Sequence, residues 1–207
     1  MIMEKDFNQK ISYGMNPDNL PPPAKKSTFK EIVKEFVIFA IIAFGIVIPF
    51  RIYVAEPYLV DGRSMSPTFE TADYLIVDKV NYGIGKFGRG SVVVFRYPND
   101  PSKSFIKRII GLPGETIKIQ DNKVTIINPD HLEGFDLDQS YIVHTSLGSY
   151  EKTLSSDEYF VMGDNRAESF DSRSWGPLNK KYILGKPILR LFPFSKIGFL
   201  PGNEAVQ

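Results

Sequence analysis

At 207 residues, 43% of them apolar and 13% aromatic, the chain is long enough for one globular domain with a real core and a short additional element. Its 25 basic and 24 acidic residues leave a net charge of +1, which offers no electrostatic footprint for a nucleic acid. The absence of cysteine excludes disulfides, thiol nucleophiles and thiolate metal sites, and with only His131 and His144 a histidine relay or histidine-rich metal centre has little to work with.

Residues 1–28 are polar and contain the run Pro21-Pro22-Pro23, the pattern of an extended or flexible tail. The composition then changes abruptly. Phe36 to Phe50 carries no charge, and the helical pattern extends back to Phe29 and forward to Val54. Crossing a bilayer takes about 20 residues, so 29–54 is long enough if Lys34, Glu35 and Arg51 lie near the two interfaces. Lys25, Lys26, Lys30 and Lys34 precede the apolar run, which predicts a single-pass anchor in the cytoplasmic membrane, with the tail in the cytoplasm and residues 55–207 outside. A buried helix of a soluble domain and a cleaved secretory signal are the other readings of the same stretch.

From Glu56 onward the segments are short, rich in β-branched and aromatic residues, and separated by turns. Strands are expected at Tyr74–Val77, Ser91–Phe95, Thr116–Ile119, Val124–Ile127, Tyr141–Val143 and Tyr159–Met162. The turn signals are Gly83 to Gly90, Pro98-Asn99-Asp100-Pro101, Leu112-Pro113-Gly114 and Asp121-Asn122. No alternation of helices with strands appears, which predicts a mainly β, partly closed antiparallel fold. Residues 128–156 are the most polar stretch and read as an inserted hairpin or small subdomain.

Three segments could do chemistry. In Gly62-Arg63-Ser64-Met65-Ser66-Pro67-Thr68 the glycine permits a tight turn and the proline keeps Ser66 out of a helix, so the bend can expose the Ser64 hydroxyl. An ordinary turn explains the same residues. In Phe105-Ile106-Lys107-Arg108-Ile109-Ile110 two cations interrupt an apolar strand, and strand alternation sends them to opposite faces, one of which must be a cleft or the interior. A lysine buried there loses its proton readily and can act as a base, whereas arginine cannot. A lysine at a sheet edge with its amine in water is the plainer alternative. The third segment, Gly163 to Gly176, crowds acids, hydroxyls and two arginines into one loop. Asp171 and Arg173 could pair there and Ser169 could orient the lysine; a cation site built from Asp164, Glu168 and Asp171 is opposed by Arg166 and Arg173.

The motifs Ser64-Met65-Ser66-Pro67-Thr68, Lys107-Arg108-Ile109-Ile110-Gly111-Leu112-Pro113-Gly114-Glu115 and the run from Gly163 to Gly176, in that order behind an apolar segment, resemble the bacterial type I signal peptidases. The resemblance implies a signal-peptidase-type β-fold and a serine endopeptidase that removes signal peptides from exported preproteins. Ser64 would be the nucleophile and Lys107 the base, with Ser169 orienting Lys107 and Asp171 and Arg173 supporting the site. It also implies an oxyanion site at the Ser64 N–H and the Gly62 position, pocket residues Tyr58, Val60 and Ile106 that accept small side chains, no cofactor and no metal. The expected partners are signal peptides and membrane lipid, with no nucleic acid, and a monomer is the default. Gly62 follows the branch of the family without a serine hydroxyl there, and Ser91 and Ala72 depart from the usual Asp and Gly. A tethered peptide-binding module without catalysis and a self-cleaving Ser/Lys repressor are the rival functions.

Overall fold

The structure is a computed structural model that describes residues 28–48, 55–79, 87–139, 142 and 148–202. Residues 1–27, the end of the expected anchor at 49–54, and most of the expected strand at Tyr141–Val143 lie outside the described residues. The chain divides into two compact units, Met1–Gly45 and Ile46–Gln207.

In the first unit, helix α1 (Phe29–Ile42) begins at Thr28, whose backbone N–H donates to the Glu31 carboxylate at 2.7 Å and so satisfies a donor that the helix start leaves free. The wider turn of a π-helix at Ala43–Val47 follows. No residue of α1 is buried, although most are apolar; Phe29 is 80% exposed and Phe36 71%. Among the described residues no helix is long and apolar enough to cross a membrane.

The second unit is built from antiparallel sheet, as its alternating segments predict. The strands are β1 (Ala55–Leu59), β2 (Tyr74–Asp78), β3 (Val92–Tyr97), β4 (Asp100–Gly111), β5 (Thr116–Gln120), β6 (Lys123–Asn128), β7 (His131–Asp136), β8 (Tyr150–Thr153), β9 (Glu158–Met162), β10 (Leu178–Asn179), β11 (Ile183–Phe192) and β12 (Gly198–Phe199). One sheet runs β1-β2-β11-β3-β4-β9-β10, with β12 paired to β11; the other runs β7-β6-β5-β8. In the second, a tight turn at Asp121-Asn122, both with positive φ, joins β5 to β6, and β7 and β8 are added on either side.

Two features of the larger sheet shape the site. Among the described residues strand β1 pairs only with β2, and its outer edge is free. Strand β4 pairs along its length with β3, but only Arg108 to Gly111 also meet β9, so among the described residues the segment through Lys107 keeps one edge open. Beneath them lie three apolar clusters: Val60, Met65, Phe69, Leu75 and Val92 under β1; Phe95, Ile109, Val161 and their neighbours; and Ile110, Ile117, Ile126 and Phe160 against the smaller sheet. Ile109 and Ile110 point into different clusters, as alternation along β4 requires.

Candidate active site

The bend after β1 is fixed from both ends. Val60 N–H donates to the Asp73 carbonyl and Ala72 N–H returns to the Val60 carbonyl, each at 2.9 Å, while buried Met65 and Phe69 pin the following turn to the core. Gly62 has φ +97°, a conformation that a residue with a Cβ rarely adopts, and Ser64 stands two residues on at the rim of the cleft.

The loop after β9 holds this bend from behind. Asn165 N–H donates to the Ser64 carbonyl and its side-chain amide to the Arg63 carbonyl, both at 3.1 Å. Gly163 lies so close that a Cβ there would collide with the Ser64 carbonyl and the Ser169 hydroxyl, which explains a glycine at the head of the motif.

Lys107 reaches Ser64 from β4, with Nζ 2.6 Å from Ser64 Oγ and 2.9 Å from the Ile106 carbonyl. It is only 4% exposed. Burial pushes its amine down from 10.5 to about 8, while the charges of Asp171 and then Asp164 pull the other way without touching it. A large fraction of the amine is therefore neutral under mildly alkaline conditions and can accept a proton from the hydroxyl beside it.

The acids of the loop are engaged elsewhere. Asp171 forms a two-point pair with Arg173, Nε to Oδ1 at 2.8 Å and Nη2 to Oδ2 at 2.9 Å, and accepts the Gly163 N–H at 3.0 Å. Asp164 forms a second such pair with Arg108, at 2.8 and 2.6 Å, with both side chains wholly buried. Asp164 also accepts from the Thr68 hydroxyl at 2.6 Å, so one carboxylate ties together the nucleophile turn, β4 and the loop.

The structure brings most of the expected residues together and gives Ser169 a different contact. Ser64, Lys107, Gly62, Tyr58, Val60 and Ile106 all line one cleft. Asp171 and Arg173 pair behind it. The Ser169 hydroxyl accepts from Gly163 N–H at 3.1 Å and makes no hydrogen bond to Lys107, whose amine is held by Ser64 and Ile106. Sequence reasoning credited Arg108 only with being unable to act as a base and Asp164 only with a rival metal role. Their pairing was signalled by an arginine invading an apolar strand, a residue that has to find a carboxylate once buried.

Comparison with known proteins shows which family the sequence matches. The family model described as signal peptidase, peptidase S26, matches residues 33–192. The probable signal peptidase I-2 of Synechocystis sp. is 36% identical over 196 residues, covering 90% of this chain and 84% of its own. Signal peptidase I U of Bacillus subtilis is 32% identical over 174 residues, covering 81% of this chain and 92% of its own. A crystal structure of a signal peptidase I from Enterococcus faecalis V583 is 27% identical, with a TM-score of 0.43, covering 50% of this chain and 97% of that one.

Proposed function

This chain belongs to the signal peptidase family, peptidase S26, whose relatives are serine endopeptidases, and we propose that it cleaves signal peptides from exported preproteins with Ser64 as nucleophile and Lys107 as general base. The observation that carries this reading is the 2.6 Å contact between a buried amine free of any carboxylate contact and an accessible serine hydroxyl. Neutral Lys107 takes the Ser64 proton as the hydroxyl attacks the scissile carbonyl. The resulting ammonium then gives its proton to the leaving amine, and water repeats the cycle on the acyl-enzyme. The Ser64 N–H has no acceptor among the described residues and is available to the oxyanion, with the Gly62 backbone or a water as the second donor.

An extended substrate fits between the open edge of β1 and the open edge of β4, where main-chain pairing would supply affinity. Its last residue before the cut would face Val60 and Ile106, and its third-last would face Tyr58, in pockets that suit small side chains such as alanine. Residues 29–54 anchor the protein in the cytoplasmic membrane, with 1–28 inside and the protease domain outside. The exposed apolar surface of α1 supports this, because such a surface calls for lipid around it. The chain works as a monomer and uses no cofactor.

The test is incubation of the purified protein in detergent with a preprotein, beside Ser64→Ala. The wild type releases the mature protein and the variant leaves the preprotein whole. Cleavage by both proteins removes Ser64 as the nucleophile, and cleavage by neither favours a tethered binding module.

A further inference from the structure

The arginine of β11 stands where strand alternation would not put it. Ile183, Gly185 and Pro187 are buried, so the next inward position should be Leu189. Ile188, however, is skipped in the register with β2, where Pro187 pairs with Val77 and Leu189 with Ile76. That extra residue is a bulge and reverses the phase, so Leu189 is only half-buried and Arg190 turns inward opposite buried Leu75. The bulge is braced by the Leu200 N–H, which donates to the Ile188 carbonyl at 2.8 Å. A buried arginine is costly unless it is paired, and the side-chain partners of Arg190 lie just beyond the nucleophile turn.

Arg190 Nη2 donates to the Thr68 carbonyl, and its Cζ lies 4.8 Å from the centre of the buried Phe69 ring. Nε is 3.2 Å from Asp73 Oδ2 without aligning on it, a contact of charges and not a hydrogen bond. The same Asp73 oxygen accepts the Glu70 N–H at 3.2 Å. Together Arg190 and Asp73 therefore grip Thr68, Phe69 and Glu70 in succession. Upstream, the Phe69 N–H donates to the Met65 carbonyl at 2.9 Å and the Ser66 N–H to the Arg63 carbonyl at 3.1 Å, so the turn moves as one piece with Ser64 inside it. Asp164 fixes the Thr68 hydroxyl separately and leaves the backbone of the turn to Arg190.

Resting on the function proposed above, we propose that Arg190 and Asp73 are a positioning pair that holds the Ser64 turn in place against Lys107. Neither residue lines the cleft, so the pair acts on the nucleophile and leaves the edges that bind substrate alone. Reacting groups displaced by about 1 Å lose about 100-fold in rate, which is the scale of effect open to such a pair.

Arg190→Lys tests this. The lysine keeps a positive charge beside Asp73 and an apolar stem on Phe69, but one ammonium lacks the planar fork that reaches Asp73 and the Thr68 carbonyl together. In protein that urea unfolding shows to be folded, kcat on an alanine peptide should fall by about 10- to 100-fold while KM stays within about 2-fold. The pH at which kcat/KM levels off should not move, because Lys107 keeps its own surroundings. Asp73→Asn keeps an acceptor for the Glu70 N–H and removes only the charge, so it should show the same split with a smaller fall, and it decides the matter if Arg190→Lys does not fold. A folded variant with kcat within about 2-fold of wild type, or failure of both variants to fold, makes the pair one of stability alone and overturns the proposal. A raised KM with kcat intact, or a shifted pH profile, overturns it as well. In each of these cases Ser64-dependent cutting by the wild type leaves the parent reading standing, and its absence removes both.

Discussion

Lys107 and Arg108 are chain neighbours, both buried, and they face opposite surroundings. Arg108, on the buttress side of β4, has Asp164 at two points and the carbonyls of Gly90 and Gly202 at 2.8 and 2.7 Å. Lys107, on the cleft side, has one hydroxyl and one carbonyl. A buried charge persists where a counter-charge and hydrogen bonds replace its water, and a buried amine without them releases its proton. The buttress is therefore permanently ionic and the cleft is poised to be neutral. The separation is kept because each nearby carboxylate is assigned its own arginine, Asp164 to Arg108 and Asp171 to Arg173, so neither is left to pair with the lysine.

The most severe way to break this contrast is to make the cleft resemble the buttress. Lys107→Arg places a group that does not deprotonate where the proposed mechanism requires a base, and turnover should fall by about 1000-fold or more. Lys107→Met should be as inactive. Its stability should move the other way, because the folded amine at about 8 lies below its ordinary 10.5. A lysine depressed in this manner costs stability in full below about pH 8, and the cost fades as pH rises toward 10.5, so at neutral pH the methionine removes a penalty of up to about 3 kcal/mol. In the wild type, kcat/KM should climb with pH and level off above about 8. Kinetics and urea unfolding of the three proteins give the answer, and a folded Lys107→Arg that retains a tenth of the activity would end the assignment.

The reverse experiment strips the buttress. Asp164→Ala leaves Arg108 charged and buried without its counter-ion and leaves Thr68 without its acceptor, and a loss of about 3 to 5 kcal/mol is expected in urea unfolding. A loss under about 1 kcal/mol would mean that Arg108 relaxes to water, and the division between an ionic and a neutral side of β4 would then fail.

The strands and turns that position Ser64 and Lys107 were legible because alternation and turn chemistry are local. Tyr74, Val124 and Tyr159 fall within β2, β6 and β9, and Asp121-Asn122 makes the predicted turn. Strand β11 was missed, although it lies at the centre of the larger sheet between β2 and β3. Gly185, Lys186 and Pro187 break its pattern, and proline ordinarily argues against an interior strand. The sheet accommodates it with a register shift just after Pro187. The contact between Ser64 and Lys107 was legible through motif resemblance. The pairing of Arg108 with Asp164 was not, because the partners are 56 residues apart and nothing local chooses between Asp164 and Asp171.

The smallest effect belongs to the pair that looks most like a latch on the site. Arg63 and Glu168 directly precede Ser64 and Ser169, both line the cleft, and their charged ends meet across it at 3.9 Å. Position alone would give them weight equal to Arg108 and Asp164. Solvent decides otherwise. Their side chains are 67% and 54% exposed, against 0% for both members of the buttress pair, so water screens the attraction and already solvates each charge. Glu168→Gln keeps the side-chain shape and leaves in place the bond from its own backbone N–H to the Asn165 carbonyl, which holds the loop turn. Its stability should change by less than about 0.5 kcal/mol. Because nothing buried loses a partner, the position of Ser64 against Lys107 should also hold, and kcat on an alanine peptide should stay within about 2-fold of wild type. A destabilisation near that of Asp164→Ala would mean that burial is not what separates the two pairs, and the contrast between buttress and cleft would need a different cause.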